Sequence, residues 1–317
     1  MITGGTGSFG SSFAKHILKH SKLKKLIIFS RDEFKQHHLE KELADNRVSF
    51  FIGDVRELPR LQRAFNEVDI VIHAAALKQV PALEYNPFEA IKTNVLGTQN
   101  IIEASVDQEV EKVLFISTDK AAQPINLYGA SKLCAEKLCI AANSYARAPR
   151  KTKFSVVRYG NVVGSRGSVV ELFKDAKKVT ITDIEMTRFW ITLEQSFELV
   201  LNALKNMEGG EIFVPKIPSM KIVDLFDVIA PNAKKEVIGI RPGEKVHEVL
   251  LTEHEARRAY ELPKYFAILP DSHPWVKRDP YTTHKKQGKK VEPNFVFASN
   301  TNDSWLTPKE LEEIAQS

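Results

Sequence analysis

Five short apolar runs separated by stretches of helical period constrain this chain more tightly than any other feature. The runs are "KLIIFS" (25–30), "VSFFIG" (48–53), "DIVIHAAA" (69–76), "KVLFIST" (112–118) and "FSVVRYGN" (154–161). Between them, apolar residues recur at helical spacing, most clearly over 88–105 and 128–145. A strand buried on both faces reads as a continuous apolar run, and strands alternating with helices cross over right-handedly into a parallel sheet. The expected fold class is therefore α/β, a doubly wound parallel sheet.

Beyond Asn161 the pattern changes, because Pro215, Pro218, Pro231, Pro242, Pro263 and Pro270 interrupt the periods. One further helix (193–206) and one strand (210–215) are expected to return to the sheet. This predicts a dinucleotide-binding domain over 1–160 joined by 192–215, and a smaller substrate lobe made of 161–191 and 216–317. At 317 residues and 43% hydrophobic content, the chain is long enough for both. No uncharged apolar run approaches the ~18 residues of a membrane span, and a cytosolic protein is expected. The two cysteines, Cys134 and Cys139, lack a metal-ligand spacing and read as packing residues, so no metal is expected. The net charge of +5 suits an anionic partner, and "HKKQGKK" (284–290), without interleaved aromatics, reads as a solvated loop rather than a nucleic-acid site.

The segment "GGTGSFG" places Gly4, Gly5, Gly7 and Gly10 ahead of a helix expected over 11–18. Glycine serves where backbone must approach a pyrophosphate, and a helix N-terminus supplies N–H donors and partial positive charge. Inside a βαβ pattern this is the fingerprint of a Rossmann dinucleotide site. Only Met1, Ile2 and Thr3 precede it, so the first strand is expected to be a stub or clipped. At the tip of the second strand, "FSRDE" puts Ser30 where NAD sites carry an acid, followed by Arg31. A guanidinium clamps a 2′-phosphate and a carboxylate repels it, so NADP is favoured; Asp32 keeps NAD open. Asp54 stands where a carboxylate can accept from an adenine amino group. Ala74 to Ala76 allow close backbone contact with ribose, and Lys78 is expected to point into the crevice.

At the reacting end, "STDKAAQPINLYGASK" carries Tyr128 and Lys132 four residues apart on one helical face. An ammonium beside a phenol lowers its pKa, which makes Tyr128 a candidate base for a sugar hydroxyl. Thr118, Asp119 and Lys120 fall at the carboxyl end of a parallel strand, where ligands bind in such sheets. An acid and an amine side by side can protonate a leaving hydroxyl while taking a carbon-bound proton. A simple alcohol dehydrogenase needs neither; the bland alternative is a surface ion pair.

The strings "ITGGTGSFG", "SRDE", "FFIGDVRE", "HAAALKQVP", "STDKA", "NLYGASKL", "VVRYGNVVGSRGSV", "MTRFWIT", "GGEIFVPKIPSMK" and "IRPGEKVHE" occur in this order over nearly the whole chain. Together they resemble the inverting UDP-N-acetylglucosamine 4,6-dehydratases of pseudaminic acid biosynthesis, which are extended short-chain dehydrogenases. The related retaining enzymes, often membrane-anchored, carry Met at the position of Tyr128. The family also has a fuller first strand.

The resemblance implies oxidation at C4 with Tyr128 as base, removal of the C5 proton by Lys120, and protonation of the departing 6-hydroxyl by Asp119. Reduction at C6 and reprotonation at C5 from the other face would give UDP-2-acetamido-2,6-dideoxy-β-L-arabino-hex-4-ulose. Lys120 serves as a base only when neutral; burial and cations such as Lys132 are expected to lower its pKa. Thr118 is expected to bond the ketone or orient the pair. The implied cofactor set comprises Gly4, Thr6, Gly7, Ser8, Phe9, Gly10, Ser30, Arg31, Asp32, Glu33, Phe34, Lys35, Asp54, Val55, Ala74, Lys78, Ile116, Ser117, Tyr128, Lys132, Val162, Val163, Gly164, Ser165 and Arg166. The implied substrate contacts are Lys78, Asn161, Val169, Thr182, Arg241 and Glu244, with Arg188 balanced between substrate contact and structural ion pair. A UDP-sugar epimerase and a silent NADP-binding regulator are the competing readings, and a homo-oligomer, a hexamer by resemblance, is expected.

Overall fold

In the computed structural model, which describes residues 1–144, 152–163, 173, 176–271 and 281–316, a ten-stranded sheet forms the centre of the chain. Its first six strands in chain order run parallel: β1 (Ile2–Thr3), β2 (Leu26–Ser30), β3 (Val48–Ile52), β4 (Ile70–His73), β5 (Lys112–Thr118) and β6 (Lys153–Tyr159). Their spatial order is β3-β2-β1-β4-β5-β6, so the direction of winding reverses between β1 and β4. β1 has only two residues, yet Ile2 pairs with both Ile28 and Ile72, which holds the glycine loop in register with its neighbours.

The expected continuous apolar strands follow from two-sided cover. Ile28, Phe29, Val113, Leu114, Phe115, Phe154 and Val156 are all buried in one core with Phe13 and Ile101 from the flanking helices. Full burial of each such side chain contributes roughly 1.5–3 kcal/mol, which explains why polar residues are scarce in these runs.

Beyond β6 the sheet continues with Ile212–Pro215 in parallel, then Tyr265–Ile268, Ala259–Glu261 and Lys289–Lys290 in antiparallel pairing. Residues 259–268 and 289–290 thus contribute strands to the large sheet, although the sequence placed them in the smaller lobe. Short antiparallel strands at a sheet edge carry a weak period, and proline interruptions hide it. A second core gathers Val179, Ile181, Met186, Trp190, Met220, Leu225, Phe226 and Leu311.

Two local expectations are corrected. The segment at 284–290 is not a solvated loop: helix Thr282–Gln287 buries His284 against the Phe213 ring and Glu211, and Lys289–Lys290 forms the sheet edge. The single helix expected over 88–105 is three joined pieces, Pro87–Ala90, a π-helical Ile91–Leu96 and Gly97–Asp107. The wider π turn carries the buried Asn94, whose side chain accepts from Leu77 N (2.8 Å) and donates to Leu77 O (2.9 Å) and Ser131 Oγ (3.0 Å). It ties the loop before Lys78 to the helix that carries Tyr128. Among the described residues, no helix is long and apolar enough to cross a membrane.

Candidate active site

A cavity of about 750 Å³ opens at the carboxyl ends of the parallel strands, around the reversal between β1 and β4. It is lined by Gly4, Thr6, Gly7, Ser8, Phe9 and Gly10, by Ser30, Arg31, Asp32 and Lys35, and by Asp54, Val55, Ala74 and Lys78. Ile116, Ser117, Thr118, Lys120, Tyr128, Lys132, Asn161 and Val162 line the remainder together with Trp190 and Leu193. Of the expected site residues, Glu33, Phe34, Asp119, Val163, Thr182, Arg188, Arg241 and Glu244 do not line it. Gly164, Ser165, Arg166 and Val169 lie outside the described residues.

The cofactor half is shaped by backbone. Gly4 adopts φ +67°, and a Cβ there would stand 2.7 Å from Ala75 Cα. Helix Ser8–His20 starts at the cavity with no acidic residue in its first turn and no side-chain cap from Gly7. Its N-terminal N–H groups and dipole therefore favour an anion. At the far rim, Asp54 Oδ2 accepts from Arg56 (2.8 Å) and lies 3.4 Å from Arg31. Burial opposes the Asp54 charge, but these two guanidiniums hold its carboxyl below the usual range. Asp32 caps helix Glu33–Leu43 by accepting from Lys35 N (3.0 Å) and pairs with Lys35 Nζ (2.9 Å). Ser30 Oγ accepts from Gln36 Nε2 (3.0 Å). The rim thus carries two exposed cations, Arg31 and Lys35, while Asp32 is committed to its own helix.

The reacting half is held by side chains. Thr118 ends β5, and its Oγ1 donates to Asp119 Oδ1 (2.9 Å). Lys120 Nζ donates to the same Asp119 Oδ1 at 3.0 Å. Tyr128 begins helix Leu127–Ala142, which Asn126 caps by accepting from Gly129 N (2.8 Å). Gly129 packs so closely on the Lys120 carbonyl that a Cβ there would overlap it. Glycine at this position seats the phenol beside the amine.

Two electrostatic expectations are corrected. Burial alone would lower the Lys120 pKa, yet the charges of Asp119 and Glu248 override it and push it up, so Lys120 is an ammonium clamped between carboxylates. Burial pushes the Tyr128 phenol up, and the cation that opposes this is Lys120 rather than Lys132. Lys132 instead donates to Ile116 O (2.6 Å), sits 3.9 Å from the centre of the Phe115 ring, and is lowered by burial to about 7.

The loop over 238–248 closes the reacting half from above. Asn126 Nδ2 donates to Gly243 O (2.7 Å), Lys245 Nζ donates to Ala122 O (2.6 Å), and Glu248 reaches Lys120 Nζ (3.3 Å). Arg188 is buried, and donates to the carbonyls of Thr187 (2.7 Å), Lys245 (2.9 Å) and Val246 (3.0 Å). Its guanidinium also lies 3.9 Å from Glu248 and 4.0 Å from Glu244, an arrangement that favours the structural alternative. Thr182 Oγ1 donates to Met186 Sδ, and Arg241 is exposed.

Sequence reasoning missed Asn94, Asn126, Glu136 and Glu248. Glu136, one turn beyond Lys132, accepts from Arg158 Nη2 (2.6 Å) and Arg158 Nε (3.1 Å) and from Ser117 Oγ (2.5 Å). Arg158 also bonds Glu255 (2.8 Å), completing a buried network under the site. A charged residue inside an apolar strand was the available signal for Arg158, since such a group needs a partner.

The profile of the family described as "Polysaccharide biosynthesis protein" matches residues 1–270. The chain is 48% identical to the UDP-N-acetylglucosamine 4,6-dehydratase (inverting) of Campylobacter jejuni, over 99% of this chain and 96% of that one. It is 42% identical to a protein of Rickettsia rickettsii named UDP-glucose 4-epimerase, over 99% of this chain and 94% of that one. Among solved structures it is similar to Pen from Bacillus thuringiensis, with 39% identity, TM-score 0.88, and coverage of 99% of this chain and 96% of that one. With the glycine-loop cavity and this likeness over almost its full length, the chain belongs to the polysaccharide biosynthesis protein family, in its extended short-chain dehydrogenase form.

Proposed function

We propose that the chain is an inverting UDP-N-acetylglucosamine 4,6-dehydratase that uses NADP and supplies pseudaminic acid biosynthesis. The observation that carries this reading is Lys120 at the wall of the same cavity that holds the glycine loop and Tyr128, bonded at 3.0 Å to the buried Asp119 behind that wall. The residues fit a nicotinamide dinucleotide: Gly4, Gly7 and Gly10 line the cavity, Gly4 turns at φ +67° tight against Ala75, and the adjacent helix N-terminus favours a pyrophosphate. Arg31 and Lys35 at the rim favour a 2′-phosphate, and Lys132 lines the cavity together with Tyr128.

When bound, a nicotinamide would supply the hydride chemistry, oxidation at the sugar C4 and reduction at C6. Tyr128 takes the proton of the 4-hydroxyl, and Thr118 bonds the resulting ketone. The ketone acidifies the C5 hydrogen, which Lys120 removes in its neutral form. Asp119, protonated, is by resemblance the acid for the departing 6-hydroxyl, although its buried side chain does not line the cavity. After C6 reduction, the proton now on Lys120 returns to C5 on the opposite face, which inverts that centre. Lys78 and Asn161 hold the diphosphate and sugar. Assembly as a homo-oligomer is carried over from the resemblance.

The second reading is a 4-epimerase, favoured by the Rickettsia rickettsii relative's name. Incubation with UDP-N-acetylglucosamine separates the two: a product lighter by one water with inverted C5 supports the dehydratase. An isomer of unchanged mass with a new C4 configuration supports the epimerase and overturns the first reading.

A further inference from the structure

Beside Lys120 lies a carboxylate that the proposed mechanism does not use. Glu248 Oε1 stands 3.3 Å from Lys120 Nζ; Lys120 lines the cavity and Glu248 does not. Glu248 is 2% exposed. Its backbone is fixed, since its N–H donates to Ser299 Oγ (2.9 Å) and its carbonyl accepts from Ser299 N (2.8 Å). Its Oε2 accepts no hydrogen bond among the described residues. The charged and titratable groups facing Lys120 come from four elements. They are Asp119 on its own turn, the Tyr128 phenol on helix Leu127–Ala142, Arg188 on strand Thr187–Ile191, and Glu248 with Lys245 on the loop 238–248. Glu244 faces Arg188 at 4.0 Å. Lys245 and Arg188 donate to backbone carbonyls and lie 3.8 and 3.9 Å from Glu248, beyond hydrogen-bond length. Glu248 is therefore closest to Lys120 of all its cationic neighbours.

We propose that Glu248 is a positioning residue that sets the protonation of Lys120, and through it the balance between two forms of the Asp119–Lys120 pair. This rests on the reading of Lys120 as the reacting amine. In one form the pair is carboxylate and ammonium; in the other it is carboxylic acid and free amine. One proton moving along the 3.0 Å bond interconverts them: an Nζ–H bond breaks, an Oδ1–H bond forms, and the two charges cancel. No proton is exchanged with solvent. The neutral form is the one that can both take a C5 proton and protonate a leaving hydroxyl. The Glu248 charge beside Nζ favours the ammonium, which holds the resting pair in its ionic form. It also stabilises the ammonium that forms when Lys120 has taken the substrate proton. In a dry site such an interaction is far stronger than in water.

Trace acetylation with acetic anhydride across a pH series, read by mass spectrometry, measures the neutral fraction of each lysine without turnover. In the wild type, Lys120 is expected to label half-maximally at higher pH than the exposed lysines of the same sample. Glu248→Gln is expected to raise Lys120 labelling at neutral pH about tenfold or more, one pKa unit, while Glu248→Asp stays closer to wild type. The limb of the pH–rate profile for solvent exchange at C5 should move to lower pH in Glu248→Gln. A merely structural role would lower that rate at every pH without moving the limb. Equal labelling in wild type and Glu248→Gln overturns the inference. So does a wild-type half-point below that of the exposed lysines, which needs no variant to fold. If labelling shifts as expected but no water is lost from the sugar, the functional reading fails and the role of Glu248 stands.

Discussion

The two ends of the cavity are built by different means. At the cofactor end, backbone does the shaping: a glycine at φ +67° and a helix start come from neighbouring positions in the chain, and a row of small residues, Ala74 to Ala76, lies beside them where β4 pairs with β1. At the reacting end, side chains from distant segments converge. Lys120 meets Glu248, Asn126 meets Gly243, and Ser117 and Glu136 meet Arg158. A backbone site tolerates change in its surroundings, because its donors are part of the helix and strand that present them. A site of buried charges depends on every partner being in place, since an unpaired buried charge is costly.

The largest expected effect tests that dependence. Arg158→Met leaves Glu136 and Glu255 buried without their cation, and is expected to destabilise the fold by about 3–5 kcal/mol in urea unfolding. A loss below about 1 kcal/mol would mean that the network under the reacting end is not what holds it. At the other end, Arg31→Ala should leave stability unchanged, because its guanidinium is half exposed. It should lower the ratio of NADP to NAD affinity by about tenfold to a hundredfold, as expected for losing a charge-assisted hydrogen bond. An unchanged ratio by calorimetry removes the proposed 2′-phosphate clamp. The smallest effect is at the junction. Asn126→Ala removes a helix cap and the link to Gly243, costing about 1 kcal/mol in stability. Its KM for the nucleotide sugar should rise while cofactor affinity holds; the reverse pattern would assign the loop 238–248 to the cofactor end.

The same contrast explains what could be read from sequence. The parallel sheet, the glycine loop and the Tyr128–Lys132 spacing are local patterns of period and composition, and each lies where it was expected. Arg31, Asp54, Lys78 and Asn161 also reach the cavity, because the ends of parallel strands converge there. Glu248 was invisible as a neighbour of Lys120: "RPGEKVHE" offers several charged residues, and nothing local says which one turns inward. The protonation of Lys120 could not be anticipated for the same reason. Its burial and the adjacent Asp119 were inferable, but the second carboxylate, which joins Asp119 in overriding burial, arrives from a segment distant in the sequence. His284 was misjudged because a run of lysines masks one buried position on a short helix.

Lys120 is the group proposed to take the C5 proton. Single-turnover reaction of Lys120→Ala with UDP-N-acetylglucosamine in deuterated water tests this most directly, with bound cofactor reduction and C5 deuterium read together. The expected result is reduction of the cofactor with no deuterium at C5, against full incorporation in the wild type. Deuterium entering C5 at the wild-type rate in Lys120→Ala would contradict it.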